Sequence, residues 1–244
     1  MKLSRKEFLL GAGGLAAGIP LGALAANPAS HGKRSYAQCG EDLVVDFLLG
    51  YIGFTTMTYL DIGAFDPIEI NNTYLFYESG FSGVLVEPNP VMCEKLRSVR
   101  PRDTTLTAGI GITDVRDADF YQMSDPSWNT FSKEEADHVV KTTNGKIFIE
   151  KKLKMPLLDI NRVMSEHFKG APTFVSIDAE GLHFDLIKAI DYSRFRPTVI
   201  CVETLVSGTT KTIPEIAAFM TTQGYVARGG SFVNEIFVDR NVLG

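Results

Sequence analysis

Short apolar runs alternate with amphipathic stretches along most of this chain. The pattern predicts a helix over Gln38 to Leu49, a strand over Met57 to Ile62, a helix over Asn71 to Ser79 and a second strand over Gly83 to Val86. Pro90 to Val99 reads as a helix with Met92, Leu96 and Val99 on one face, and Thr105 to Ile110 as a third strand. The middle is less regular. Ala118 to Met123 is strand-like, and Ser132-Lys133-Glu134-Glu135 has the form of a capping box opening a helix to about Thr142. Asn144-Gly145 signals a turn before an alternating strand over Lys146 to Met155, and Leu157 to Phe168 is helical. Regularity returns with a strand over Thr173 to Asp178, a helix over Leu182 to Ile190 and a strand over Thr198 to Glu203. A second capping-box pattern, Thr212-Ile213-Pro214-Glu215, opens a helix to about Gln223. Gly224 to Arg228 and Phe232 to Val238 then flank Gly229-Gly230-Ser231 as a closing hairpin. Strands and helices in alternation predict a mostly parallel sheet with helices on both faces.

Composition narrows the partners. The chain has 244 residues, 45% of them hydrophobic, enough for one large core but not for two once the N-terminus is set aside. A net charge of −5 argues against a nucleic-acid backbone as partner, which needs a basic face. Cys39, Cys93 and Cys201 show no metal-finger or disulfide spacing. At the N-terminus, Lys2, Arg5 and Lys6 precede Phe8-Leu9-Leu10, a Gly/Ala/Leu run and the small-x-small site Ala23-Leu24-Ala25. This is the plan of an export signal, close to the twin-arginine form with Lys6 in place of the second arginine. The expected organisation is a leader over residues 1–30 and one domain over 31–244, exported to the periplasm rather than cytoplasmic, with no stable membrane span.

The candidate chemistry lies at strand ends. Four predicted strands end in acids, Asp61, Glu87, Asp178 and Glu203, and in an open α/β sheet ligands bind outside the carboxyl ends of the strands. Four carboxylates bordering one crevice are therefore expected. Asp61-Ile62-Gly63 supplies a close-approach turn, and Glu87 a carboxylate able to accept two hydrogen bonds from a ribose diol. Pro67 stands where a dinucleotide-binding glycine turn would close onto a helix, which counts against a pyrophosphate cradle and suits S-adenosylmethionine. In Asp178-Ala179-Glu180-Gly181, Asp178 and Glu180 can hold a substrate hydroxyl, accept its proton or bind a divalent cation, although no metal site is assigned. Glu203, His183 and Trp128 are candidates for substrate contact, with Asn129 and Thr130 beside Trp128 in the irregular middle.

At these residues the chain resembles the FkbM family of S-adenosylmethionine-dependent methyltransferases. The blocks run in order: Ser35-Tyr36-Ala37-Gln38-Cys39-Gly40-Glu41-Asp42, Tyr59 to Pro67, Asn71-Asn72-Thr73-Tyr74 with Glu78 to Gly83, Val86-Glu87-Pro88-Asn89-Pro90, Ser176 to Gly181, and Asn234-Glu235-Ile236-Phe237-Val238. The resemblance implies a Rossmann-like methyltransferase fold with a seven-stranded sheet and a C-terminal antiparallel hairpin. It implies a cofactor held by Asp61, Gly63 and Glu87, with Gln38 and Glu41 of the opening block in the same set. It also implies methyl transfer to an oxygen, often on a sugar or another small metabolite, so the expected partner is a small-molecule or glycan acceptor. His183 stands where the family usually has an acid. The other reading is an exported, non-catalytic binding protein that kept the fold.

Overall fold

The first two apolar runs are strands β1 (Thr58–Ile62) and β2 (Ser82–Glu87) in a computed structural model of the chain, which describes residues 32–112, 115–179, 181–205 and 209–244. Both are buried over most of their length, as strands covered on two faces must be. They pair in parallel, Leu60 with Val84 and Ile62 with Val86. β3 (Thr104–Thr107) lies beyond β2. β4 (Gly109–Gly111), β5 (Asp117–Met123) and β6 (Ile149–Asp159) form a separate three-stranded sheet in the order β4-β6-β5. β7 (Phe174–Ile177) and β8 (Val199–Glu203) extend the main sheet on the other side of β1, again in parallel. β9 (Tyr225–Gly230) and β10 (Asn234–Asp239) close it as an antiparallel hairpin. The order β3-β2-β1-β7-β8-β10-β9 makes the sheet mostly parallel, as the pattern predicts, and gives it the seven strands and closing hairpin that the resemblance implies.

The side-chain period of two splits the strands between two cores. Leu60, Ile62, Val84 and Val175 meet α5 (Ile160–His167), α6 (His183–Ala189) and α7 (Pro214–Thr222) on one face, through Val163, Leu186 and Ile216. Tyr59, Leu85, Phe174 and Cys201 meet α1 (Glu41–Ile52), α2 (Tyr74–Glu78) and α3 (Pro90–Val99) on the other, through Val45, Phe76 and Leu96. A smaller cluster joins Tyr121, Met123, Ala136 and Val139 under α4 (Lys133–Thr142). Ser35–Gly244 form one compact unit. The export-like leader lies outside the described residues. Among the described residues no helix is long and apolar enough to cross a membrane.

Local chemistry explains where elements start. α3 begins at Pro90 because Asn89 caps it, its side chain accepting from the Val91 amide at 3.0 Å. Ser132 caps α4 in the same way, accepting from Glu135 N at 3.1 Å. Five expectations are corrected. α1 starts at Glu41 instead of Gln38, because Gly40 takes a left-handed conformation (φ +91°) that ends the preceding turn. α2 starts at Tyr74, since the side chains of Asn71 and Thr73 are committed to a buried network described below. The strand expected over Thr105 to Ile110 divides at Ala108, with its first part in the main sheet and its second on β6. That pairing draws Leu157 and Leu158 into β6, so α5 begins only after Asp159 caps it. The second capping box does not form: Thr212 bridges to Leu205 instead, and α7 has no side-chain cap.

Candidate functional site

The chain runs outward from β1 to β2 and β3, then returns to β7 on the other side of β1. The carboxyl ends of β1 and β7 are therefore a topological switch point, the usual place for a ligand in an open α/β sheet. Gly63 follows β1 with φ +82°. A Cβ built there would lie 1.7 Å from the carbonyl oxygen of Asp178, so glycine is required before any ligand is considered. The Gly63 amide donates to the Val86 carbonyl at 2.9 Å, and the Asp178 amide to Ile62 at 2.9 Å. One turn thus joins the ends of β1, β2 and β7.

A cavity of about 350 Å³ opens at these ends. Glu87, Asp178 and Glu203 line it, as do Gly63 and Gln38. Asp61 does not, which corrects the expected crevice of four acids. It precedes the last residue of β1, and the pleat turns it toward the face of α1 and α3, away from the face of Leu60 and Ile62. There it is fully buried and accepts from the Thr73 hydroxyl at 2.7 Å. Burial pushes its carboxyl above the usual range, while the Thr73 hydrogen bond and the Arg100 charge pull it back.

Arg100 is the centre of that buried network. It donates to Asp103 at 2.8 Å, to Thr73 Oγ1 at 2.9 Å, to Asn71 Oδ1 at 3.0 Å and to the Tyr59 hydroxyl at 3.2 Å. Asn71 in turn donates to the carbonyls of Ala64 and Asp66, both at 3.0 Å, and so fixes the turn after Gly63. The pattern of apolar positions gave no sign of this. Arg100 and Asp103 stand at the polar end of α3, where exposed charges are the ordinary reading, and only packing shows both to be buried.

Glu87 ends β2 at the cavity. Its Oε2 accepts from the Phe65 amide at 3.0 Å and its Oε1 from the Asn89 amide at 2.7 Å. Burial nevertheless pushes its carboxyl up to about 7, against those two hydrogen bonds and with a further rise from the Asp61 charge. Phe65 reaches it from a left-handed conformation, φ +46°, one of two non-glycine residues so held between β1 and α2. Asp66 and Pro67 continue this as a turn, not as a helix N-terminus, so no phosphate cradle forms there.

The remaining candidates divide. Glu41 is buried away from the cavity, accepting from Ser231 Oγ, from Asn234 Nδ2 at 2.9 Å and from Cys39 N at 2.8 Å. It ties the opening turn to the β9–β10 hairpin, and the turn carries Gln38 to the cavity wall. Trp128 packs on the Tyr121 and Met123 cluster, while its neighbours Ser127, Asn129 and Thr130 line the cavity in its place. Asn129 Oδ1 accepts from Met123 N at 2.8 Å, and its buried Nδ2 has no hydrogen-bond partner among the described residues. Glu180 lies outside the described residues. His183 is buried at the first turn of α6, with Nε2 3.0 Å from Glu203 Oε2. Donor atoms of Asp178, His183 and Glu203 all lie within 4.8 Å of one another, so these three residues can hold a metal ion.

The chain matches no curated protein. Among solved structures it is similar to a TehB-like SAM-dependent methyltransferase from Corynebacterium glutamicum, with 8% identity over 83% of this chain and 88% of that one and a TM-score of 0.43. It is similar to an O-methyltransferase from Bacillus cereus in complex with SAH, with 13% identity over 88% and 86% and a TM-score of 0.43. A third is the 1,6-didemethyltoxoflavin-N1-methyltransferase of Burkholderia thailandensis, with 12% identity over 82% and 78% and a TM-score of 0.42. The model of the methyltransferase FkbM domain matches residues 61–227, from the acid of β1 to the closing hairpin. The chain belongs to the FkbM family of S-adenosylmethionine-dependent methyltransferases.

Proposed function

We propose that this methyltransferase acts on a hydroxyl oxygen of a small molecule, a sugar or a similar metabolite, held beside Asp178 and Glu203. The observation that carries the proposal is the placement of three carboxylates, Glu87, Asp178 and Glu203, on one cavity at the switch point. Glu87 fits the methyl donor. A carboxylate has about four acceptor positions, and the Phe65 and Asn89 amides use two, leaving room for a ribose diol. When bound, S-adenosylmethionine supplies an electrophilic methyl group on a sulfonium.

The protein's own part is alignment and proton removal. An alcohol is a weak nucleophile, so its proton must go to a base as the new bond forms. Asp178 and Glu203 stand on the cavity wall as candidates for that base, and Glu180 is a further candidate on the Asp178-Ala179-Glu180-Gly181 sequence block alone. Phe120, Phe131 and Ile110 give the cavity an apolar side, and Ser127, Asn129 and Thr130 a polar one. Asp61 and Glu41 act from behind, the first on the turn after β1 and the second on the turn that carries Gln38.

Calorimetry with S-adenosylmethionine and S-adenosylhomocysteine tests the cofactor side. Glu87→Ala should weaken both by about tenfold or more, since it removes charge-assisted hydrogen bonds. Asp178→Ala should leave that affinity nearly intact and lower turnover by about 10²-fold or more. Equal losses of cofactor affinity in the two variants would show this division of roles to be wrong. Export follows from the leader as a separate proposal, supported by the three-part pattern of residues 1–25; N-terminal sequencing of the mature protein from fractionated cells tests it.

A further inference from the structure

We infer that Asp178, His183 and Glu203 bind a divalent first-row metal ion, Zn²⁺ or Mn²⁺, at the edge of the cavity, with coordination positions open to the acceptor. The three side chains come from fixed points. Asp178 follows β7, Glu203 ends β8, and His183 starts α6, while β7 and β8 pair directly in parallel. Their donor atoms lie within 4.8 Å of one another. His183 Nε2 and Glu203 Oε2 are 3.0 Å apart. Two ligands at right angles on an ion about 2.1 Å from each stand about 3.0 Å apart, so this pair is already spaced to share one.

Exposure supports an open site. His183 is 2% exposed and faces the site from the protein side, whereas Asp178 and Glu203 line the cavity. Three protein ligands with the remaining positions facing a cavity is the plan of a catalytic site rather than a closed structural one. One imidazole with two carboxylates favours Zn²⁺ or Mn²⁺ over Mg²⁺ and Ca²⁺, which prefer oxygen ligands alone. Uptake requires a change of tautomer at His183. In the metal-free protein the Ala179 amide donates to Nδ1 at 3.3 Å, which leaves the ring proton on Nε2 toward Glu203, and the Gly181 amide stands 3.3 Å from Nε2. An ion on Nε2 leaves the ring's one proton on Nδ1, and the ring then shifts off the Ala179 amide. An acceptor hydroxyl bound at the open position would have its pKa lowered. That last role rests on the acceptor reading proposed above, whereas the ion site itself does not.

The test uses the full chain, stripped with a chelator and titrated by calorimetry with Zn²⁺, Mn²⁺ and Mg²⁺ alone. One site per chain is expected, at least about tenfold tighter for Zn²⁺ or Mn²⁺ than for Mg²⁺. His183→Ala and Glu203→Gln should each weaken it by about tenfold or more. S-adenosylhomocysteine affinity within about threefold of wild type in both variants shows that they are folded. Absence of any site tighter than millimolar, or unchanged metal affinity in both variants, would overturn the inference. Loss of S-adenosylhomocysteine binding in the wild type with metal binding intact would instead strike the acceptor and cofactor reading and leave the ion site standing.

Discussion

Glu87 accepts two backbone amides and keeps acceptor positions toward the cavity, yet burial pushes it up to about 7. Ribose hydroxyls donate more strongly, and to more acceptor positions, in its ionised form. Affinity for S-adenosylhomocysteine should therefore fall as pH drops below about 7, by at most about tenfold per unit, and level off above it, which calorimetry over a pH series checks. The same shift acts on stability with the opposite sign. The folded value stands above the ordinary 4.5, so the contribution is fully present below about 4.5 and is lost as pH rises through about 7. Denaturant melts should show the stability difference between wild type and Glu87→Gln changing across that window and flat outside it. Gly63 is the other residue with an unambiguous consequence. Its replacement by alanine sets a methyl group 1.7 Å from the Asp178 carbonyl, and the variant should lose more than about 3 kcal/mol or fail to fold, as far-ultraviolet circular dichroism would report. The Asp61-Ile62-Gly63 turn was legible as a site from residue types alone. Which way Asp61 points was not, because alternation fixes a side chain's face only once the neighbouring strands say which face the cavity opens on.

Elements with strong local signals stand where their sequence puts them. α3 has an Asn cap, a proline at its first position and one apolar stripe, and it spans Pro90–Val99 as predicted. Elements set by pairing or by buried polar contacts do not. Ala108 divides a continuous apolar run because its halves pair with different partners, and Leu157 and Leu158 leave a helical pattern for the same reason. α2 is short because Asn71 and Thr73 serve Arg100 and Asp61 instead of a helix. This network holds the turn between β1 and α2, so its loss should reach the cavity. Arg100→Leu leaves Asp103 buried without its cation and should cost about 3–5 kcal/mol in urea unfolding. Affinity for S-adenosylhomocysteine should fall with it, because Asn71, which tethers Ala64 and Asp66, loses the Arg100 donor and keeps only Thr73 on its Oδ1. Arg100→Lys, which keeps the charge but not the fork of donors, should recover only part of both.

Two cores on the faces of one sheet make the molecule's stability and its ligand site parts of the same structure, since the cavity opens where β1, β7 and β8 end. A ligand bound there stabilises the folded state by mass action. At about 100 times its dissociation constant, S-adenosylhomocysteine should add about 2.7 kcal/mol and raise the midpoint of thermal unfolding by about 5–10 °C. Scanning calorimetry at rising ligand concentration checks this, and at the same ligand concentration the shift should fall to about half or less in Glu87→Ala. By itself the sequence determined the class of fold, the order of strands and helices, the strand-end acids and the blocks that mark the family. Those are local properties: periodicity, caps and motif residues act within a few positions of one another. Only the tertiary structure decided that Asp61 turns inward while Glu87, Asp178 and Glu203 share a cavity, that Asn129 rather than Trp128 faces it, that Arg100 is buried, and that His183 meets Glu203. Most of those contacts join residues far apart in the chain. Their distance depends on strand register and on the packing of helices over the sheet, which no short stretch of sequence encodes alone.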